Sequence, residues 1–182
     1  MKNAIVTGAS NGIGLEISKK LSENNYYVGM IDIDKENLLK ESENISNSVA
    51  IEGDVTNEDS IKNALDTFNK TPDLIVNNAG IVIFGGLEEQ TIEDFKKSVN
   101  VSLIGSYLVS RLAIDSMIKK GSGCIINMSS INGVHPGPGT GGYPPAKAGI
   151  VSLTQQMSIE WGPYGIRTNS IAPGFIDAGM SK

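Results

Sequence analysis

Cysteine is nearly absent from this chain. Cys124 stands alone among 182 residues, which excludes an internal disulfide framework and suits a reducing compartment, so a cytoplasmic location is expected. Cys124 opens an apolar run, where packing rather than chemistry is its expected role. Histidine is equally scarce. The lone His135 sits in a Gly/Pro-rich stretch, and one histidine does not make a usual metal site, so no metal is expected. An excess of positive charge is missing too. Fifteen Lys and Arg face twenty Asp and Glu, for a net charge of −5. With no basic cluster, neither nucleic acid nor an anionic membrane is an expected partner. No run is read as apolar and long enough to span a bilayer. Met1 leads straight into strand-like residues, so no signal peptide is expected.

What remains is ordinary for a soluble globular protein, 40% apolar and 19% charged, and long enough for one domain over 1–182 with a real core. The most informative string is Thr7-Gly8-Ala9-Ser10-Asn11-Gly12-Ile13-Gly14. It follows the apolar run Ala4-Ile5-Val6 and precedes Ile13, Ile17 and Leu21 at helical spacing. Strand, glycine loop and helix together form the context in which a dinucleotide pyrophosphate binds. The glycines admit the backbone close to the phosphates, and the helix N-terminus offers free N–H groups and a favourable dipole. On its own, such a loop is also compatible with a plain turn.

The pattern beyond it alternates. Strands are expected at 3–7, 27–32, 48–51, 74–76, 124–128 and 168–171, and helices at 12–24, near 35–43, after an N-cap at Thr56, from Thr91 to about 119, and from the end of a 131–142 loop to Trp161. Asp94 is placed to form a capping box with Thr91. Near-continuous apolar strands alternating with helices predict an α/β fold: a doubly wound parallel sheet, three layers deep, of Rossmann type. Asp32 ends the second strand. There a carboxylate can hydrogen-bond the adenosine ribose and repel a 2′-phosphate, and the neighbouring Asn11 and Ile33 supply no cation. NAD is therefore expected over NADP, although a loop aspartate is the plain alternative. Ser130 ends a strand and Tyr143 starts the next helix. Both then lie at the carboxyl edge of the sheet, and Lys147, four residues on, shares a helix face with Tyr143.

Thr7-Gly8-x-x-x-Gly12-Ile13-Gly14, Asn77-Asn78-Ala79-Gly80, Ser129-Ser130, Tyr143-x-x-x-Lys147 and Pro173-Gly174 occur in this order along the chain. In these motifs the chain resembles the classical short-chain dehydrogenase/reductase family, in the broad group of 3-oxoacyl-carrier-protein reductases and sugar or polyol dehydrogenases. The resemblance implies an NAD-dependent oxidoreductase interconverting a secondary alcohol and a ketone. Tyr143 is then the general acid/base. Lys147 is the ammonium that favours its ionised form and holds the nicotinamide ribose, and Ser130 hydrogen-bonds the substrate oxygen. Gly8, Ser10, Asn11, Gly12, Ile13, Gly14, Asp32, Ile33, Asp54, Val55, Asn78, Ala79, Gly80, Pro173, Gly174 and Ile176 are expected along the cofactor, with Tyr143 and Lys147. Asn77 is expected to stabilise the sheet. A homodimer or homotetramer joined through the helices at 91–119 and 143–161 is also implied.

Three departures bear on that expectation. The family's catalytic Asn falls in register on Ser102; Asn100 is two residues away, about 200° round a helix. Pro144 and Pro145 follow Tyr143 and disfavour helical geometry before them, so the helix is expected to begin at Pro145 and leave Tyr143 outside. Family members also continue past this point to a substrate-covering segment and a seventh strand, so a truncated chain is expected, with its sixth strand an open edge exposing Ile166 and Ile171. Ala178 stands where a nicotinamide-contacting Thr is often found. These departures keep a second reading in play, that of a non-catalytic dinucleotide-binding protein.

Overall fold

The computed structural model describes residues 1–177; Ala178 lies outside them. Along the chain come β1 (Lys2–Thr7), α1 (Gly12–Glu23), β2 (Tyr26–Asp32), α2 (Lys35–Ser42), β3 (Ser48–Glu52), α3 (Glu58–Phe68), β4 (Leu74–Asn77), α4 (Ile92–Val99), α5 (Gly105–Lys120), β5 (Gly123–Met128), α6 (Tyr143–Trp161) and β6 (Ile166–Ile171). The six strands form one parallel sheet in the order β3-β2-β1-β4-β5-β6. Period-two side-chain alternation divides the core between two faces. Ile5, Ile31, Ile75 and Ile125 pack with Ile61 and Phe68 of α3 and with Val109 and Met117 of α5. Ala4, Val6, Val28, Met30 and Val76 pack with Leu15 of α1 and Leu38 of α2. The expected three-layer, doubly wound fold is what the chain adopts.

Strand order reverses beside β1. The chain runs outward to β2 and β3, returns to β4 on the other side of β1, and continues to β5 and β6. The connections leaving β1 and β4 therefore diverge, and a crevice opens at their carboxyl ends.

Local details differ from the sequence reading. The N-cap of α3 is Asn57, whose Oδ1 accepts from Ser60 N at 2.9 Å. Thr56 instead donates its N–H and hydroxyl to Asp54 Oδ1, an Asx turn that delays the helix by one residue. The Thr91–Asp94 capping box forms as expected. The helix it starts does not run uniformly, because Asn100–Ile104 form a π turn between α4 and α5. By length and composition alone, a stretch within Ile92–Lys120 is apolar enough to cross a membrane. Here it packs on the sheet, with Val109, Ala113, Ile114 and Met117 in the core.

The start of α6 also differs from expectation. Tyr143 is its first residue, not a loop residue. The prolines occupy the next two positions, where a backbone N–H has no acceptor within the helix, so their missing donors are no loss. A further correction concerns β6. Its outer side is an edge, and Ile171 is 47% exposed as expected, but Ile166 is 1% exposed and belongs to the core.

Behind the crevice lies a buried polar seam. Asn77 Nδ2 donates to Ser110 Oγ and to Asn127 Oδ1, each at 2.8 Å, and Asn127 Nδ2 donates to Thr154 Oγ1 at 2.9 Å. One amide pair thus joins β4, β5, α5 and α6. The substitution Asn127→Leu leaves buried partners unsatisfied and should destabilise the fold by about 1–3 kcal/mol in chemical denaturation. An unchanged unfolding free energy would show that the seam contributes no net stability.

Candidate functional site

The crevice is a cleft of about 970 Å³. Its floor begins with the glycine loop. Gly8 takes φ +64°, and a Cβ there would stand 2.9 Å from Ala79 Cα, so only glycine lets the loop lie against the end of β4. The loop is held from that side. Asn78 Nδ2 donates to Thr7 O and Gly8 O, both at 3.0 Å, and Thr7 Oγ1 accepts from Asn78 N and Ala79 N, both at 3.1 Å. On the other side Ser10 N donates to Asp32 Oδ2 at 2.9 Å and Asn37 Nδ2 donates to Ser10 O at 2.7 Å.

Of the residues expected along a cofactor, Gly8, Asn11, Gly12, Ile13, Asp32, Ile33, Asp54, Val55, Asn78, Ala79, Gly80, Pro173, Gly174 and Ile176 all line this cleft, as do Ser130, Tyr143 and Lys147. Ser10 and Gly14 do not. Ser10 is buried behind the wall, tied to Asp32 and Asn37. Gly14 backs onto the Gly8 carbonyl, where a Cβ would collide. Asn77 stays in the polar seam below.

The cleft fits a dinucleotide on three observations. No side chain caps the first turn of α1, and no acidic residue lies in it, so its N–H groups and positive dipole end are free for an anion. By contrast α2, α3 and α4 are capped by Asp34, Asn57 and Thr91. The Asp32 carboxylate accepts from Ser10 N and Asp34 N, two of roughly four acceptor positions, and so retains capacity for a hydroxyl pair. Gly80 leaves room beside Lys147: a Cβ at Gly80 would lie 3.2 Å from Lys147 Nζ and 3.4 Å from Ser102 Oγ.

The reactive end is built on β5 and α6. Ser130 follows the end of β5, and its Oγ accepts from Asn132 N at 3.2 Å. Lys147 lies one helical turn after Tyr143, its Nζ 5.5 Å from the centre of the Tyr143 ring. Only 3% of Lys147 is exposed. Its ammonium donates to Met128 O at 2.7 Å, and Ser129 Oγ donates to Lys147 O at 2.8 Å. Burial pushes the Lys147 ammonium down to about 8. Ser102 is fully buried in the π turn, and its Oγ has no hydrogen-bond partner, whereas Asn100 is exposed. Ser102 and Lys147 thus both approach Gly80. Among the described residues no three His, Cys, Asp or Glu side chains gather as a metal site.

A family model described as short chain dehydrogenase matches residues 2–182. The chain belongs to the short-chain dehydrogenase family, a family of oxidoreductases. It is 40% identical to a 3-oxoacyl-(acyl-carrier-protein) reductase of Chlamydia trachomatis, over all of this chain and 76% of that protein. It is 33% identical to an NAD-dependent glycerol dehydrogenase of Listeria innocua, over all of this chain and 73% of that one. Among solved structures, a 3-oxoacyl-(acyl-carrier-protein) reductase of Brucella melitensis with bound NAD superposes with a TM-score of 0.93 at 29% identity, covering 98% of this chain and 72% of that one. A nicotinamide dinucleotide is accordingly the cofactor class of this short-chain dehydrogenase fold.

Some residues that brace the cleft carried no sequence signal. Asn37 and Gln90 act through side-chain hydrogen bonds to partners distant in sequence, which no local pattern encodes.

The buried lysine yields a pH test. Unfolded, Lys147 holds its proton up to its ordinary value near 10.5; folded, only to about 8. Between these values the unfolded state binds more protons, so this group makes stability rise with pH. Against a Lys147→Met variant, the unmodified chain should gain unfolding free energy from pH 8 to pH 10, with a steepest slope of about 1.4 kcal/mol per pH unit. Parallel stability curves for the two proteins in chemical denaturation would refute it.

Proposed function

We propose that the chain is an NAD-dependent oxidoreductase that interconverts a secondary alcohol and a ketone, with Tyr143 as the general acid/base. The observation carrying this reading is the meeting of Ser130, Tyr143 and Lys147 with the glycine loop and Asp32 in a single cleft. When bound, the nicotinamide accepts or supplies the hydride. The chain's residues do the rest. The Ser130 hydroxyl donates to the carbonyl oxygen and orients it. The Tyr143 phenol gives a proton to that oxygen in reduction and takes it back in oxidation. The Lys147 ammonium, largely charged at neutral pH even after its downward shift, places a positive charge 5.5 Å from the centre of the Tyr143 ring. Lys147 also has donor capacity left for a ribose hydroxyl, since one N–H goes to Met128 O. Ile81, Val82, Phe84, Ile131, Pro138 and Phe175 line the same cleft, which favours a substrate with an apolar body. A cytoplasmic homodimer or homotetramer is part of this reading. Ile104, Tyr107 and Ile159 are exposed on the helical segments that would meet.

One observation favours the second reading, a dinucleotide-binding protein without turnover. Ser102 Oγ has no partner where the family resemblance expects an amide. An NADH titration followed by turnover on a panel of ketones separates the two, since binding without turnover selects the second.

For the leading reading, Tyr143→Phe should lower turnover by roughly 10²-fold or more while leaving NADH affinity within about twofold. Turnover retained above a tenth would reveal another proton donor. NADH should also bind more tightly than NADPH. The Asp32→Asn variant keeps an acceptor for the loop amides but removes the charge, and should narrow that gap by roughly tenfold, or 1.4 kcal/mol. A parent that binds NADPH equally well would defeat the NAD assignment.

A further inference from the structure

The start of α6 is held against its own sequence. Tyr143 and Pro144 each precede a proline, which disfavours helical backbone at both. The N-cap is Gly142, which has no side chain to cap the helix. Local propensity therefore opposes the first turn, and this turn carries Tyr143.

Contacts from elsewhere in the chain supply what the sequence withholds. Gln90 Oε1 accepts from Gly142 N at 2.9 Å, and Gln90 Nε2 donates to Ile83 O at 2.6 Å. One side-chain amide thus spans the 81–84 segment and the N-cap of α6, using both of its ends. Beside it, Gly85 N donates to Gly139 O at 3.0 Å, and Gly85 forms a β-bridge with Thr140. Tyr143 N donates to Thr140 O at 2.9 Å. Gly141, at φ +41°, lies so close that a Cβ would collide with the Gln90 amide. Gly142 is backed by Phe95, 3.0 Å from a Cβ built there. Ile81, Val82, Phe84, Gly137, Pro138 and Thr140 all line the cleft, so the two tied segments are adjoining parts of its wall.

We infer that Gln90 is a positioning residue: its amide fixes Gly142, and through it the backbone of Tyr143, so that the phenol stays aligned over the cleft. This inference rests on the proposed role of Tyr143 as acid/base. Gln90 touches neither the glycine loop nor Asp32, so its loss should alter alignment rather than cofactor affinity. Small displacements at a reacting group are enough to reduce rates strongly.

The test compares the parent chain with Gln90→Met, which keeps length but neither polar end, and Gln90→Glu, which can still accept from Gly142 N but cannot donate to Ile83 O. Steady-state kinetics with NADH and a ketone substrate, an NADH titration, a melting curve and amide hydrogen exchange are measured on each. Gln90→Met should lower kcat by roughly tenfold to a hundredfold, with NADH affinity within about twofold and exchange faster at Gly142 and Tyr143 but unchanged in the central strands. Gln90→Glu should restore part of kcat. An unchanged kcat with unchanged exchange overturns the inference. So does a joint collapse of kcat, NADH affinity and melting temperature with no recovery in Gln90→Glu, which marks a general structural loss. If the parent turns over no ketone, the proposed function fails. The tie is then judged on exchange alone, and equal exchange at Gly142 and Tyr143 in parent and Gln90→Met overturns it.

Discussion

Everything in this molecule that bears on function hangs from the reversal of strand order at β1. Two crossovers leave β1 and β4 in opposite directions, and in the gap between their carboxyl ends backbone from both halves of the sheet can face one ligand. That gap needs a brace, because diverging loops have no neighbours to pack on. The brace is polar. Four hydrogen bonds join Thr7 and Gly8 on one side to Asn78 and Ala79 on the other, and Asp32 and Asn37 hold the glycine loop from the β2 side. The glycine loop is thus pre-shaped by its neighbours, with the unsatisfied N–H groups of α1 left over for an anion.

The reactive end follows a different logic. Burying a lysine beside few partners is unfavourable, and that burial pushes its ammonium down. The fold tolerates it because Met128 O accepts one N–H and Ser129 locks the backbone carbonyl of Lys147. Gly133 lets the short turn after β5 press against that same carbonyl: a Cβ there would lie 2.8 Å from Lys147 O. The π turn at Asn100–Ile104 brings Ser102 to the far side of Gly80. Such turns recur at functional sites because they redirect side chains without ending the helix.

Much of this was legible in the residues. The apolar runs at Ala4-Ile5-Val6 and Leu74-Ile75-Val76, with helical spacing between, suffice for a parallel sheet, because strands buried on both faces have no other company than helices. The glycine loop and Asp32 were readable since both stand at strand ends, where topology sends side chains into the crevice. What misled was local evidence overridden by distant contacts. Pro144 and Pro145 argue for a later helix start, yet Gln90, Thr140 and Phe95 hold Tyr143 inside it. Ile166 reads as an edge residue but belongs to the buried core. Thr56 and Asn57 are both capable caps, and the Asx turn at Asp54 decides between them.

The sequence by itself therefore determined the layered fold, the order of its strands along the chain and the chemical character of the cleft. These depend on periodicity and on which residue types stand at strand ends, properties that short windows contain. Tertiary structure alone decided the alignment of the reactive groups. Lys147 Nζ is held by Met128 O, 19 residues away, and Gln90 ties Gly142, beside Tyr143, from 52 residues away. A pairwise contact across the fold leaves no periodic trace in the chain that makes it.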